Sequence, residues 1–230
     1  MFIPIGDDNS ARVRMPIVNL GLIALNALVF FAELAANAGG GLEAFVRYWS
    51  VIPADYMNGT SSGGPVPVTL LTSMFLHGGW GHLLGNMLYL GIFGDNVESA
   101  LGHGRYLAFY LVTGIAGALL HIVTSPSSTV PTLGASAAIS GVLAAYLVLF
   151  PGNRVLVWFF FRVSAVPALL VIGLWALMQF FIGAGSLLSP REGGGVAYVA
   201  HVGGFAAGLL LTFLLRPRGP RAQPIGEPLP

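Results

Sequence analysis

The chain has 230 residues, of which 55% are hydrophobic and only 8% charged, with a formal net charge of +1. Such a composition excludes an ordinary soluble domain, and the absence of cysteine excludes disulfides and thiolate-bound zinc or iron–sulfur sites. All ten basic residues are arginines lying between apolar runs, with no basic stripe interleaved with exposed aromatics, so no nucleic acid is expected as a partner.

Residues 1–15 hold Asp7, Asp8, Arg12 and Arg14 ahead of any apolar run, without the pattern of a cleaved signal, and read as a cytoplasmic N-terminal segment. The first span runs from about Pro16 to Ala36. Its polar residues Asn19, Asn26 and Glu33 recur every seven positions and therefore share one face, which must avoid lipid. Residues 37–77 form a long outer interfacial loop with an amphipathic patch, Leu42 to Ile52, carrying Phe45, Trp49 and Arg47. A second span covers Gly78 to Gly94, stopped by Asp95 and Glu98, and a third covers Tyr106 to Val123. The fourth, Ala135 to Phe150, is closed by Pro151-Gly152-Asn153-Arg154. The fifth extends from about Val163 to Ile182, with Pro167 near its start and Gln179 near its end, and the sixth from about Gly193 to Leu215. Residues 216–230 are a Pro- and Arg-rich cytoplasmic tail. The expectation is an all-α membrane protein, a bundle of six transmembrane helices over residues 16–215.

The arginines orient that bundle. With six spans, Arg12, Arg14, Arg105, Arg154, Arg162, Arg216, Arg218 and Arg221 share one side, and only Arg47 and Arg191 fall on the other. The bias puts both termini in the cytoplasm.

Depth then selects the chemistry. Pro151 lies fifteen residues after Ser136, or about 22 Å of helix, against a hydrocarbon core of about 30 Å. Ser136 is thus sunk below the outer surface, where irregular backbone is tolerated only beside protein or a wet cavity. His201 precedes Arg216 by the same fifteen residues and stands at the same height. His82 and Asn86, spaced i, i+4 on the second span, face that layer, with His77 at the helix mouth. Gly134, Ala137, Ala138 and Gly141 on the fourth span, and Ala200, Gly204 and Gly208 on the sixth, clear both surfaces for close approach. A serine becomes a nucleophile when a neighbouring base takes its proton, and acyl transfer needs donors for the oxyanion. Ser136 and His201 fit the first pair of roles; His82, Asn86 and the Ser136 backbone N–H fit the last.

In this order, His77-x4-His82-x3-Asn86, Gly134-x-Ser136 and Ala200-His201-x2-Gly204-x3-Gly208, with Glu98 and Gly102-x2-Arg105-Tyr106, resemble the rhomboid family of intramembrane serine proteases. The resemblance implies a six-helix core with nucleophile Ser136, base His201 and an oxyanion site using His82 and Asn86, supported by His77, Gly134 and Glu98. It also implies no cofactor and no metal, residence in a plasma or inner membrane, and a site opening to the extracytoplasmic side. Single-pass membrane proteins would be the substrates, admitted sideways near the second and fifth spans. Two positions depart from the pattern. Ala137 stands where the family usually has glycine, and Ser140 where some members stack an aromatic on the histidine, which would leave His201 held by the oxyanion-side helices alone.

Several of these residues also fit simpler structural roles. An isolated Gly-x-Ser is a helix N-cap, Ser140 bonds a carbonyl one turn back, and His103 and His121 sit at span ends. A metal site from His77, His82 and His201 lacks a completing carboxylate or thiolate. A transporter would show internal repeats, and none is present. A catalytically impaired membrane-segment binder would lack Ser136 or His201. The oligomeric state is not encoded legibly.

Overall fold

The computed structural model describes residues 2–10, 12–60, 64–188 and 197–215. The tail 216–230, Arg191 and the expected start of the sixth span at Gly193 lie outside them, as does part of the loop at 61–63. In chain order the elements are β1 (Phe2–Asp7), α1 (Ile17–Ala38), α2 (Leu42–Trp49), α3 (Pro53–Asn58), α4 (Val66–Thr72) with a following 3-10 turn (Ser73–Phe75), α5 (Trp80–Leu101), α6 (His103–Thr124), α7 (Ser136–Leu149), β2 (Arg154–Phe159), β3 (Arg162–Pro167), α8 (Ala168–Leu188) and α9 (Tyr198–Leu215). The protein is mostly helical. Among the described residues four helices are long and apolar enough to cross a membrane: α1, α6, α8 (over Ala168–Ser186) and α9.

The polar stripe of α1 faces inward as its period requires, with Asn19, Asn26 and Glu33 all buried. Helix α5 runs past Gly94 to Leu101, so Asp95 and Glu98 do not stop it. The N-terminal segment explains why, because it partners each polar group. Arg12 pairs with Asp95 at 2.8 Å, the Asn96 amide donates to Asp7 at 2.6 Å, and Val13 N–H donates to Ser99 Oγ at 2.9 Å. Glu98, fully buried, accepts the free N–H groups of Val18 and Asn19 in the first turn of α1 and a bond from His103 at 2.5 Å. A carboxylate is favoured at that helix end by the orphan donors and the macrodipole. Gly102, at φ +82°, then breaks α5 from α6.

The all-α expectation needs correction. β1, β2 and β3 form one antiparallel sheet in that order, with a register shift in β1 between Pro4 and Gly6. Val155 and Val157 are fully buried while Leu156 and Trp158 are exposed, a period of two that an apolar run obscures. For the same reason the fifth helix begins at Ala168, not Val163. Val163 to Pro167 complete the hairpin, and Pro167 marks the boundary. In the outer loop α2 coincides with most of the amphipathic patch Leu42 to Ile52, and α3, α4 and the 3-10 turn follow it.

Helix α7 is the axis of the molecule. Every residue from Ala138 to Tyr146 is buried, against α5, α6, α8 and α9. At fourteen residues it is about 21 Å long, and it separates Ser136 at one end from the sheet at the other.

Candidate active site

The backbone leading into α7 is set by one glycine. Gly134 adopts φ +119°, a conformation disfavoured for other residues, and its N–H donates to Ser73 O at 2.8 Å. The cap position of α7 falls on Ala135, and no side chain caps the helix. Ser136 is therefore not spent as a cap. Its hydroxyl instead meets His201 of α9, with Oγ 2.6 Å from Nε2. Ser140 donates back to Ser136 O at 2.6 Å, leaving the serine hydroxyl free of competition from that side.

The contact requires α7 and α9 to touch through their backbones. A Cβ on Gly204 would lie 2.0 Å from Ala137 O, and one on Gly208 would lie 2.5 Å from Gly141 Cα. Lipid provides no hydrophobic drive between apolar helices, so close van der Waals approach through small residues does the joining. Helix α6 closes the same seam, since a Cβ on Gly117 would meet Ala200 O at 2.4 Å and Ala137 Cβ at 2.8 Å. The methyl of Ala137, the departure at the position after the serine, thus fits because Gly117 has no side chain opposite it.

On the α5 side, His82 and Asn86 converge beside Gly134. A Cβ there would stand 2.7 Å from His82 Nε2 and 3.7 Å from Asn86 Nδ2. His82 Nδ1 accepts Gly78 N–H at 3.4 Å, which leaves its proton on Nε2, toward Gly134. Asn86 gives one amide hydrogen to His77 Nε2 at 3.0 Å and keeps the other. His77 is itself held: its backbone N–H meets both carboxylate oxygens of Glu33 at 3.1 Å, and Nδ1 lies 3.3 Å from Phe75 O. His77 is buried and supports Asn86 from behind, while His82 is exposed. Glu98 is not brought to this group. It lies twelve residues beyond Asn86, about 18 Å along α5, and serves the α1 junction. Among the described residues no group of three His, Cys, Asp or Glu is placed to hold a metal ion.

His201 is not held by the oxyanion-side helices alone, and that expectation is corrected. Its Nδ1 lies 2.7 Å from Gln179 Oε1 in α8. The Trp175 ring, one turn before Gln179, lies 6.0 Å from the imidazole at 30°, and Tyr198 meets it nearly edge-on at 6.3 Å and 78°. The aromatic missing at position 140 is thus replaced from a different helix. Sequence reasoning missed both α8 residues in this role. The available signal was a single amide inside an otherwise apolar span, which needs a buried partner.

At the opposite end of α7, burial pushes the Asp7 carboxyl up to about 6, although a hydrogen bond from Tyr146 opposes the rise. Asp8, which accepts Ser10 N–H, is held below its usual value. These groups titrate at the sheet end, remote from Ser136.

Residues 66–218 match the family model described as Rhomboid domain. Over 202 residues, 86% of this chain and 88% of the relative, the sequence is 30% identical to the Putative rhomboid protease YdcA of Bacillus subtilis. It is 34% identical to the Rhomboid protease GluP of the same organism over 64% of this chain and 25% of that one. A similar level, 30% over 64% of the chain, relates it to a protein named Inactive rhomboid protein 1 from Drosophila melanogaster, of which 9% is covered. Other relatives are also longer: the match spans 45% of RHOMBOID-like protein 5 of Arabidopsis thaliana, at 32% identity.

Proposed function

Because the chain belongs to the rhomboid family and is a multi-pass membrane protein, we propose that it is an intramembrane serine endopeptidase working through a Ser136–His201 dyad. The observation that carries this reading is the 2.6 Å contact between Ser136 Oγ and His201 Nε2. Ser136 stands at the first residue of α7 and His201 is buried against it with both ring nitrogens partnered, so the imidazole is fixed at the hydroxyl it would deprotonate. His201 takes the hydroxyl proton as Oγ attacks the scissile carbonyl carbon. The oxyanion is met by His82 Nε2–H, the unused Asn86 amide hydrogen and the Ser136 backbone N–H. Collapse breaks the C–N bond, and the leaving amine takes the proton from His201. Water then hydrolyses the acyl-enzyme by the same steps, releasing the acid and restoring the serine.

In this reading α1, α5, α6, α7, α8 and α9 are six spans with both termini in the cytoplasm, which the arginine bias supports. The site opens to the extracytoplasmic side of a plasma or inner membrane. Substrates are single-pass membrane proteins, which reach Ser136 from the side. Helices α5 and α8 flank α7 and make little direct contact with each other, which supports entry between them. A catalytically impaired segment binder is the second reading, motivated by the similarity to the protein named as inactive. The test is cleavage of a single-pass substrate co-reconstituted in liposomes. Ser136→Ala and His201→Ala should each abolish cleavage while keeping the folded helical signal. Full activity in either variant rejects the dyad, and no cleavage by the unmodified protein with any of a panel of membrane segments it binds favours the binder.

A further inference from the structure

Helix α8 presents an almost unbroken apolar surface, with Leu169, Leu170, Leu174, Leu177, Met178, Phe180, Phe181 and Ile182 exposed. Gln179 lies on the opposite, inward face of the helix and is 6% exposed. An amide in such a helix is costly unless a partner inside the bundle satisfies it, and the partner here is the Nδ1 of His201, at 2.7 Å. Trp175, four residues earlier and so on the same face of α8, sets its ring against the same imidazole.

The polarity of this contact matters. A carbonyl oxygen can only accept, so Gln179 Oε1 holds the proton on Nδ1 and leaves Nε2 with its lone pair toward Ser136 Oγ–H. The reversed amide would offer N–H to Nδ1, move the ring proton to Nε2, and leave no base for the serine. One tautomer is productive, and Oε1 at this position selects it. In hydrolases with a carboxylate third member, the acid performs this orienting role and also stabilises the imidazolium. A neutral amide can do the first but does little of the second.

We propose that Gln179 is a positioning residue that fixes the tautomer and ring orientation of His201, making the site a Ser136–His201–Gln179 triad with Trp175 packed on the imidazole. This rests on the reading of Ser136 and His201 as nucleophile and base, and the experiment separates the two claims.

The test compares Gln179→Leu, Gln179→Glu, Ser136→Ala and His201→Ala in liposomes containing a single-pass substrate, with kcat, KM and pH profiles measured for each. Leucine keeps the bulk and loses the acceptor. It should lower kcat by about 10- to 100-fold with KM changed by less than about 2-fold. Glutamate restores an acceptor and adds a charge beside His201, whose other neighbours are Ser136, Trp175, Tyr198 and, from α5, His82. It should recover activity to within about 10-fold of the parent and move the acid limb of kcat/KM upward by about one pH unit. The proposal is overturned if Gln179→Leu has the parental kcat, or if the acid limb of Gln179→Glu is unmoved, while Ser136→Ala and His201→Ala are inactive. The glutamate arm decides even if the leucine variant does not fold. Activity in Ser136→Ala or His201→Ala would instead overturn the dyad itself.

Discussion

The seam between α7 and α9 and the face of α8 beside it are built from equally apolar sequence, yet they are opposite kinds of surface. At the seam, glycines meet backbone: Gly204 against Ala137 and Gly208 against Gly141 leave no room for a methyl group. On α8, Gly173 and Gly185 have no neighbour at all where a Cβ would be, and large side chains point outward. The two atoms proposed to exchange a proton, Ser136 Oγ and His201 Nε2, are carried by the tightly joined pair. The side chain that orients the imidazole reaches in from the lightly packed helix. Precision at the seam therefore comes from small residues, whereas the large apolar side chains of α8 mostly face outward.

Substitutions can break that contrast in graded steps. The largest effect is expected for Gly204→Val, which would drive the helices apart, lowering cleavage by more than about 100-fold and costing at least about 2 kcal/mol. Gly173→Ala on α8 should change neither, and thermal unfolding in detergent with parallel cleavage assays reads both. Next is Asn86→Ala, which removes one proposed oxyanion donor. It should reduce kcat by about 100- to 1,000-fold with little change in unfolding temperature. Gly134→Ala strains a φ of +119° and pushes a methyl toward His82; a loss of about 10-fold or more in kcat is expected, because both donors shift. The smallest effect concerns the sheet end. Asp7 titrates at about 6 in the fold against an ordinary value of 3.8, so the fold prefers its neutral form. Stability should then be greatest below about pH 4 and fall as pH rises through 6. Asp7→Asn should flatten that fall in pH-dependent unfolding curves without changing cleavage.

Much of this arrangement is legible in the chain because membranes make polar residues conspicuous. The seven-residue spacing of Asn19, Asn26 and Glu33 marks the buried face of α1, and the short run from Ser136 to Pro151 marks a helix with fewer residues than a full span needs. Counting back fifteen residues from Pro151 and from Arg216 places Ser136 and His201 at one height, and in the structure their side chains touch. What stayed hidden depends on partners distant in sequence. Asp95 and Glu98 look like a span terminus until Arg12, Val18 and Asn19 arrive to satisfy them. Val155 and Val157 fall between the expected spans with no strand assigned, because the two-residue period is drowned in apolar neighbours and their strand needs β1 from the other end of the chain. Glu33 gives no hint that it binds the backbone of His77. Trp175 is one aromatic among many, and only the fold sets it against His201.

The measurement that bears most directly on the central claim is covalent labelling of the purified protein with a fluorophosphonate, with the adduct located by mass spectrometry. A single adduct on Ser136, absent in Ser136→Ala and strongly slowed in His201→Ala, is the predicted result. An adduct on another residue, labelling that persists in Ser136→Ala, or no adduct on the folded protein would contradict it.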